Sequence, residues 1–267
     1  MFDHSKFNCL ENMHPRNDAL TIVLGDKSFV ARLIRTCDCA HSFSFYSMRD
    51  ESAWQDLCRK NLDMEIRVIW CIKTHPFWDE LELLRRLLSF LRAETIKFKL
   101  VYLSSFAVYQ GRSSISESPV VKATSDYAKA KMACESFLRQ EVGQAVGLAS
   151  ITCLRLASFY DENYPGLGIA PYVRYVNRVA PTDDPAFVFE AYGVGDLIES
   201  IDLGLKQQIG CFRTYDVVRV LKWADQHSSK PSLASFFMWR VIVPVAWRFQ
   251  ELLPQRARFI IRLFARK

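Results

Sequence analysis

The sequence predicts an α/β protein built on a doubly wound parallel sheet, followed by a small, mostly helical C-terminal lobe. Three observations carry that expectation. A continuous apolar run, residues 19–24 (ALTIVL), closes on Gly25 and leads into Phe29, Val30, Leu33 and Ile34 at helical spacing. That is strand, tight turn and helix, the opening of a βαβ unit. Stretches with strand and helix character then alternate as far as residue 156, the rhythm of a parallel sheet with helices on both faces. Half of the 267 residues are apolar, enough to cover such a sheet.

Taken in order, residues 41–46 (HSFSFY) read as the second strand, residues 52–60 as a helix, and residues 66–72 (IRVIWCI) as a third strand rich in β-branched side chains. Residues 81–91 are amphipathic and helical. Residues 98–103 (FKLVYL) make the next strand, with Ser104 and Ser105 just beyond its carboxyl end. A helix is expected over residues 127–142 and a strand over residues 149–156 (ASITCLRL). Past Phe159 the pattern loosens into turn formers at 160–168 and 181–185, with helical pieces expected at 194–205 and 216–224. The chain thus divides into a polar lead (1–18), a sheet domain (19–160) and a small lobe (161–267), with room for the last two to interleave.

Composition excludes several classes. The formal charge is +6, and residues 240–267 carry seven basic residues against Glu251 alone, so the rest of the chain is neutral. A basic tail explains this balance better than a groove-facing nucleic-acid footprint. The eight cysteines form no CxxC pair and the five histidines have no ligand spacing, so reduced thiols and no metal centre are expected. The first 17 residues lack an apolar core segment and no run of about 20 uncharged apolar residues occurs, which points to a cytoplasmic protein.

The chemistry-bearing pattern is Tyr127-Ala128-Lys129-Ala130-Lys131. On a helix Tyr127 and Lys131 project from one face, and an ammonium near a phenol favours the phenolate, drawing a group of reference pKa about 10 towards acid/base use. Sheets of this kind bind ligands at the carboxyl ends of their strands, where Ser104 and Ser105 fall. A hydroxyl there can bind the oxygen whose proton the phenol handles.

Residues 101–109 (VYLSSFAVY), Glu117, Pro119 and residues 125–135 (SDYAKAKMACE) together resemble the extended short-chain dehydrogenase/reductase family, in its NAD(P)-dependent epimerase/dehydratase branch acting on nucleotide sugars. The resemblance implies a Rossmann-like domain with Tyr127 as acid/base. It makes Lys131 the residue that lowers the phenol pKa and holds the nicotinamide ribose, and Ser105 the substrate-oxygen ligand, with Ser104 as the second serine at the substrate. Residues 154–160 (LRLASFY), with Ser158, are similar to the segment lining the nicotinamide, and residues 192–200 (YGVGDLIES) resemble a later helix start of the family.

In the family's first turn three glycines let the backbone approach a pyrophosphate, whereas here Gly25, Ser28 and Ala31 hold those places, with Phe29 opening the helix. A pyrophosphate turn and a purely structural turn both fit. One strand stands between Phe29 and Ile66 where the family has two. If it is the strand after the first helix, Arg49 meets a 2′-phosphate and favours NADP over NAD; if it is the following strand, Asp50 only touches the adenine side, and a solvated Arg49 is a further alternative.

In the tail, Arg258, Arg262 and Arg266 share one helical face and Ile260, Ile261 and Phe264 the other. Two readings stand: residues 240–267 lie on an anionic membrane surface, where a lipid-linked sugar would be met, or the apolar stripe docks on the lobe. A homodimer is compatible with the family resemblance.

Overall fold

A computed structural model describes residues 19–35, 43–47, 50–72, 76–109, 121–144, 148–160 and 188–222. Six parallel strands form the main sheet: β1 (Ala19–Leu24), β2 (Phe43–Tyr46), β3 (Glu65–Trp70), β4 (Phe98–Ser105), β5 (Ala149–Leu156) and β8 (Phe212–Val217), in the spatial order β2-β1-β3-β4-β5-β8. Helices α1 (Phe29–Arg35), α2 (Glu51–Arg59), α3 (Asp79–Ala93), α4 (Asp126–Gln144) and α5 (Val194–Leu205) alternate with them. The expected doubly wound Rossmann-like sheet is therefore the observed one.

The alternation of side chains along each strand sorts the two faces. Ile22, Leu24, Ile66, Val68, Trp70, Phe98, Leu100, Tyr102 and Ile151 form one core with Trp54 and Cys58 of α2, Leu84, Leu87, Leu88 and Leu91 of α3, and Cys134 and Leu138 of α4. On the opposite face α5 lies so close that a Cβ on Gly204 would stand 3.0 Å from the Val101 side chain and 3.2 Å from that of Thr152. Every residue of β5 is buried, as expected of an interior strand covered on both faces, Ser150, Thr152 and Arg155 included.

The strand order fixes where a ligand can enter. From β1 the chain steps to β2 on one side and then crosses to β3 on the other, with Leu24 opposite both Tyr46 and Trp70. The carboxyl ends of β1 and β3 thus flank a switch point. The single strand between Phe29 and Ile66 pairs directly with β1, which makes it the strand following the first helix.

The chain divides into two compact units, residues 1–156 with 194–217, and residues 157–193 with 218–267. In the second, β6 (Ser158–Phe159), β7 (Val188–Tyr192) and β9 (Arg219–Lys222) form a small sheet of order β6-β7-β9, with β7 and β9 antiparallel. Over the described residues 216–222 the expected helix is not formed. Residues 212–217 instead add β8 to the edge of β5, and residues 219–222 pair with β7, because β-branched Val217 and Val220 find strand partners far away in sequence. Residues 240–267, Glu117 and Pro119 lie outside the described residues.

Candidate functional site

The site is built from the ends of β1, β3 and β4 and the first turns of α4. Gly25 ends β1 with φ +99°, a left-handed backbone that glycine alone adopts at no steric cost. It also lies against the chain leaving β3: a Cβ would stand 2.9 Å from the Cys71 carbonyl carbon and 3.0 Å from the Ile72 nitrogen. The N–H groups of Gly25 and Asp26 are given to the Tyr46 carbonyl, and that of Ser28 to Gly25. The Ser28 hydroxyl accepts from Ala31 N at 3.0 Å, so it caps α1. Ala31, in the third glycine position, is fully buried, while Phe29 is half-buried at the start of the helix.

Cys71, just past β3, ties this turn to the helix bearing Tyr127 and Lys131. Burial pushes its thiol up to about 12, against a hydrogen bond with Ser28 and the nearby positive charge of Lys131. Gly25, Ser28 and Lys131 therefore converge around Cys71.

Lys131 is sequestered. Its Nζ donates to Glu80 Oε1 at 2.7 Å and to the Leu103 carbonyl at 3.0 Å, and lies 4.8 Å from the centre of the Tyr102 ring. Glu80, in the first turn of α3, also accepts from Trp70 Nε1 at 3.1 Å. One turn back on α4, Tyr127 is half-buried, edge-on to Phe77 with ring centres 5.1 Å apart.

Strand alternation separates the two serines. Ser104 is buried and donates to Glu135 Oε1 at 2.6 Å. Ser105 is half-buried and accepts from Ala107 N at 3.2 Å, capping the short 3-10 turn at 106–108. Tyr127, Lys131 and Glu135 recur every four residues along α4, so one stripe of the helix meets the carboxyl end of β4.

Glu135 anchors a network that sequence reasoning missed. It receives Arg155 through Nε at 3.1 Å and Nη2 at 2.6 Å; Arg155 Nη1 donates to Tyr109 Oη at 2.8 Å, and Tyr109 donates to Asp216 at 2.6 Å. Burial opposes the Arg155 charge, yet the hydrogen bonds to Glu135 and Tyr109 hold its pKa above the usual guanidinium range. Burial and the Asp216 hydrogen bond together push the Tyr109 phenol up to about 12. An arginine inside an apolar strand was the available signal, since a buried charge requires a partner.

Two further residues were expected at the cofactor. Arg49 lies outside the described residues, and Ser158 belongs to β6 of the second unit, opposite Ala191. Among the described residues no group of three or more His, Cys, Asp or Glu could hold a metal ion, and no helix is long and apolar enough to cross a membrane.

The donor set suits a dinucleotide at the switch point in part. Lys131 and Ser105 lie at neighbouring strand ends, but the close approach that Gly25 allows is taken by the chain at Cys71 and Ile72, and several N–H groups of the turn are already bonded within the protein.

No family model and no curated protein sequence matches the chain. Solved structures do. The chain is similar to UDP-N-acetylglucosamine 4-epimerase from Bacillus cereus, at 17% identity and a TM-score of 0.55 over 84% of this chain and 92% of that one. It is similar to dTDP-glucose 4,6-dehydratase from Bacillus anthracis in complex with NAD, at 15% identity and a TM-score of 0.55 over 78% of each chain. It is also similar to RMD from Pseudomonas aeruginosa complexed with NADPH, at 17% identity and a TM-score of 0.56 over 77% and 80%. The chain has a Rossmann-like α/β fold, the architecture it shares with these solved structures.

Proposed function

We propose that the protein is an NAD(P)-dependent enzyme of the extended short-chain dehydrogenase/reductase type, acting on a nucleotide-linked sugar. The observation that carries the reading is the stripe of α4, on which Tyr127 stands one turn from Lys131, and Lys131 bonds the β4 carbonyl beside Ser104 and Ser105. The similar structures solved with NAD, NADPH or UDP-glucose support it.

In this reading a bound nicotinamide supplies the hydride acceptor and donor at a carbinol carbon. Ser105 holds the sugar oxygen by a hydrogen bond. Tyr127, as phenolate, takes the hydroxyl proton as the carbon gives up its hydride, and returns it when the hydride comes back. Lys131 orients the ribose and favours the phenolate. Gly25, Ser28 and Phe29 line the pyrophosphate, Ser158 the nicotinamide, and Arg49 gives a lean to NADP.

Incubation with UDP-glucose, UDP-N-acetylglucosamine or dTDP-glucose and either dinucleotide, followed by NMR of the sugar, tests this. Turnover is expected, with Tyr127→Phe abolishing it while cofactor binding persists. Full activity in that variant would sink the mechanism.

A second reading, a protein that keeps the fold without hydride transfer, is favoured by the turn whose N–H groups are spent inside the protein. Its mark is a folded protein with no affinity for either dinucleotide. Peripheral membrane contact through residues 240–267, a lipid-linked sugar and a homodimer belong to the proposal, and sedimentation with anionic liposomes tests the first.

A further inference from the structure

Lys131 and Glu80 form the most deeply buried ion pair among the described residues, with side-chain exposures of 4% and 2%. Two of the three ammonium donors are committed inside the protein, to Glu80 and to the Leu103 carbonyl. Glu80 is itself held by the Trp70 indole, whose ring is fully buried on β3. Lys131 also lies against the Tyr102 ring, and its charge acts on the Cys71 and Cys134 thiols. Burial pushes both thiols up to about 12, so none of these neighbours offers a second negative charge. The counter-charge for Lys131 is Glu80.

A lysine that holds a ribose must present N–H groups to hydroxyls in the cleft. Here a carboxylate competes for them from the protein side, and a charge-assisted bond at 2.7 Å outcompetes a neutral hydroxyl. We infer that Glu80 is a lock on Lys131: it draws the ammonium into the seam between α3, α4 and β4 and sets how tightly a dinucleotide ribose is held. The inference rests on the cofactor reading given above, deepens it at the same site, and is separable from it. Removing the carboxylate leaves an uncompensated buried ammonium. That ammonium swings towards the cleft, where reagent and ribose can reach it.

The test uses the full chain as wild type, Glu80→Gln, Glu80→Asp and Glu80→Gln/Lys131→Met. Each is treated with acetic anhydride under native conditions and mapped by mass spectrometry, with exposed Lys129 on the same helix as internal reference. Each is also titrated with NADH and NADPH. Lys131 is expected to be protected in wild type and labelled at least tenfold faster, relative to Lys129, in Glu80→Gln. Dinucleotide affinity should rise about fivefold or more in that variant, and the gain should vanish in the double variant.

If Glu80→Gln does not fold, Glu80→Asp serves, since it keeps the charge but withdraws it by one methylene. Unchanged protection of Lys131 in a folded variant overturns the lock. So does faster labelling accompanied by weaker dinucleotide binding. Faster labelling with no dinucleotide bound by any form supports the lock and overturns the cofactor reading instead.

Discussion

Replacing Gly25 by alanine tests the turn at the switch point in two ways at once. The residue sits at φ +99°, and the added Cβ would lie 2.9 Å from the Cys71 carbonyl carbon and 3.0 Å from the Ile72 nitrogen. Those neighbours are backbone, and Cys71 N is itself bonded to the Leu24 carbonyl at 2.8 Å, so the clash cannot be relieved by a rotating side chain. A left-handed conformation costs a non-glycine residue roughly 1–2 kcal/mol, and overpacking a well-filled site roughly 1–3 kcal/mol more, giving about 3 kcal/mol in all. At roughly 2–4 °C per kcal/mol for a chain of this size, the melting temperature should fall by about 10 °C. Thermal and urea unfolding followed by circular dichroism read the change. Gly195, an exposed helical position with nothing within 4 Å of its Cβ, is the control. Alanine there should be neutral or stabilise by about 0.5–1 kcal/mol. A Gly25→Ala protein as stable as wild type would refute the close approach of β1's turn to the chain leaving β3.

Arg155→Met strands Glu135 without its guanidinium and should cost about 3–5 kcal/mol, whereas Arg155→Met/Glu135→Gln should cost less than that single change; strict additivity in urea titrations would contradict the network. Native alkylation with iodoacetamide at pH 8 should modify half-buried Cys211 and spare Cys58, Cys71 and Cys134, whose thiols burial pushes up to about 12, and peptide mapping distinguishes them. At Glu65, burial raises the carboxyl pKa, but hydrogen bonds from Arg67 and Lys99 outweigh it and hold the group below its ordinary value. The folded pKa being depressed, the stabilisation is present above the unfolded value of about 4.3 and is lost as pH falls through the folded one. Wild type should therefore exceed Glu65→Gln by up to about 1 kcal/mol at pH 7, with the difference closing below pH 4 in thermal melts.

The main sheet was legible because interior parallel strands are buried on both faces and so appear as apolar runs. β1 and β5 were predicted at their observed bounds. Residues 216–224 were misread because local spacing cannot reveal partners far away: Val217 pairs with Leu156, and Val220 with Glu190. Tyr127, Lys131 and the two serines were singled out from spacing and from their position at a strand end. The different environments of Ser104 and Ser105 follow from alternation once the buried face is known. Glu80 was invisible, since an acidic residue in the first turn of a helix is ordinary complementarity to the helix dipole. Only the packing of α3 beside α4 turns it into the partner of Lys131.

Calorimetric titration of the freshly purified full chain with NAD and with NADP bears most directly on the account. One equivalent of either bound with submillimolar affinity, and weakened by Lys131→Met, is the expected result. A folded protein that takes up no heat with either would leave only the architecture of a dinucleotide enzyme and contradict the proposed chemistry.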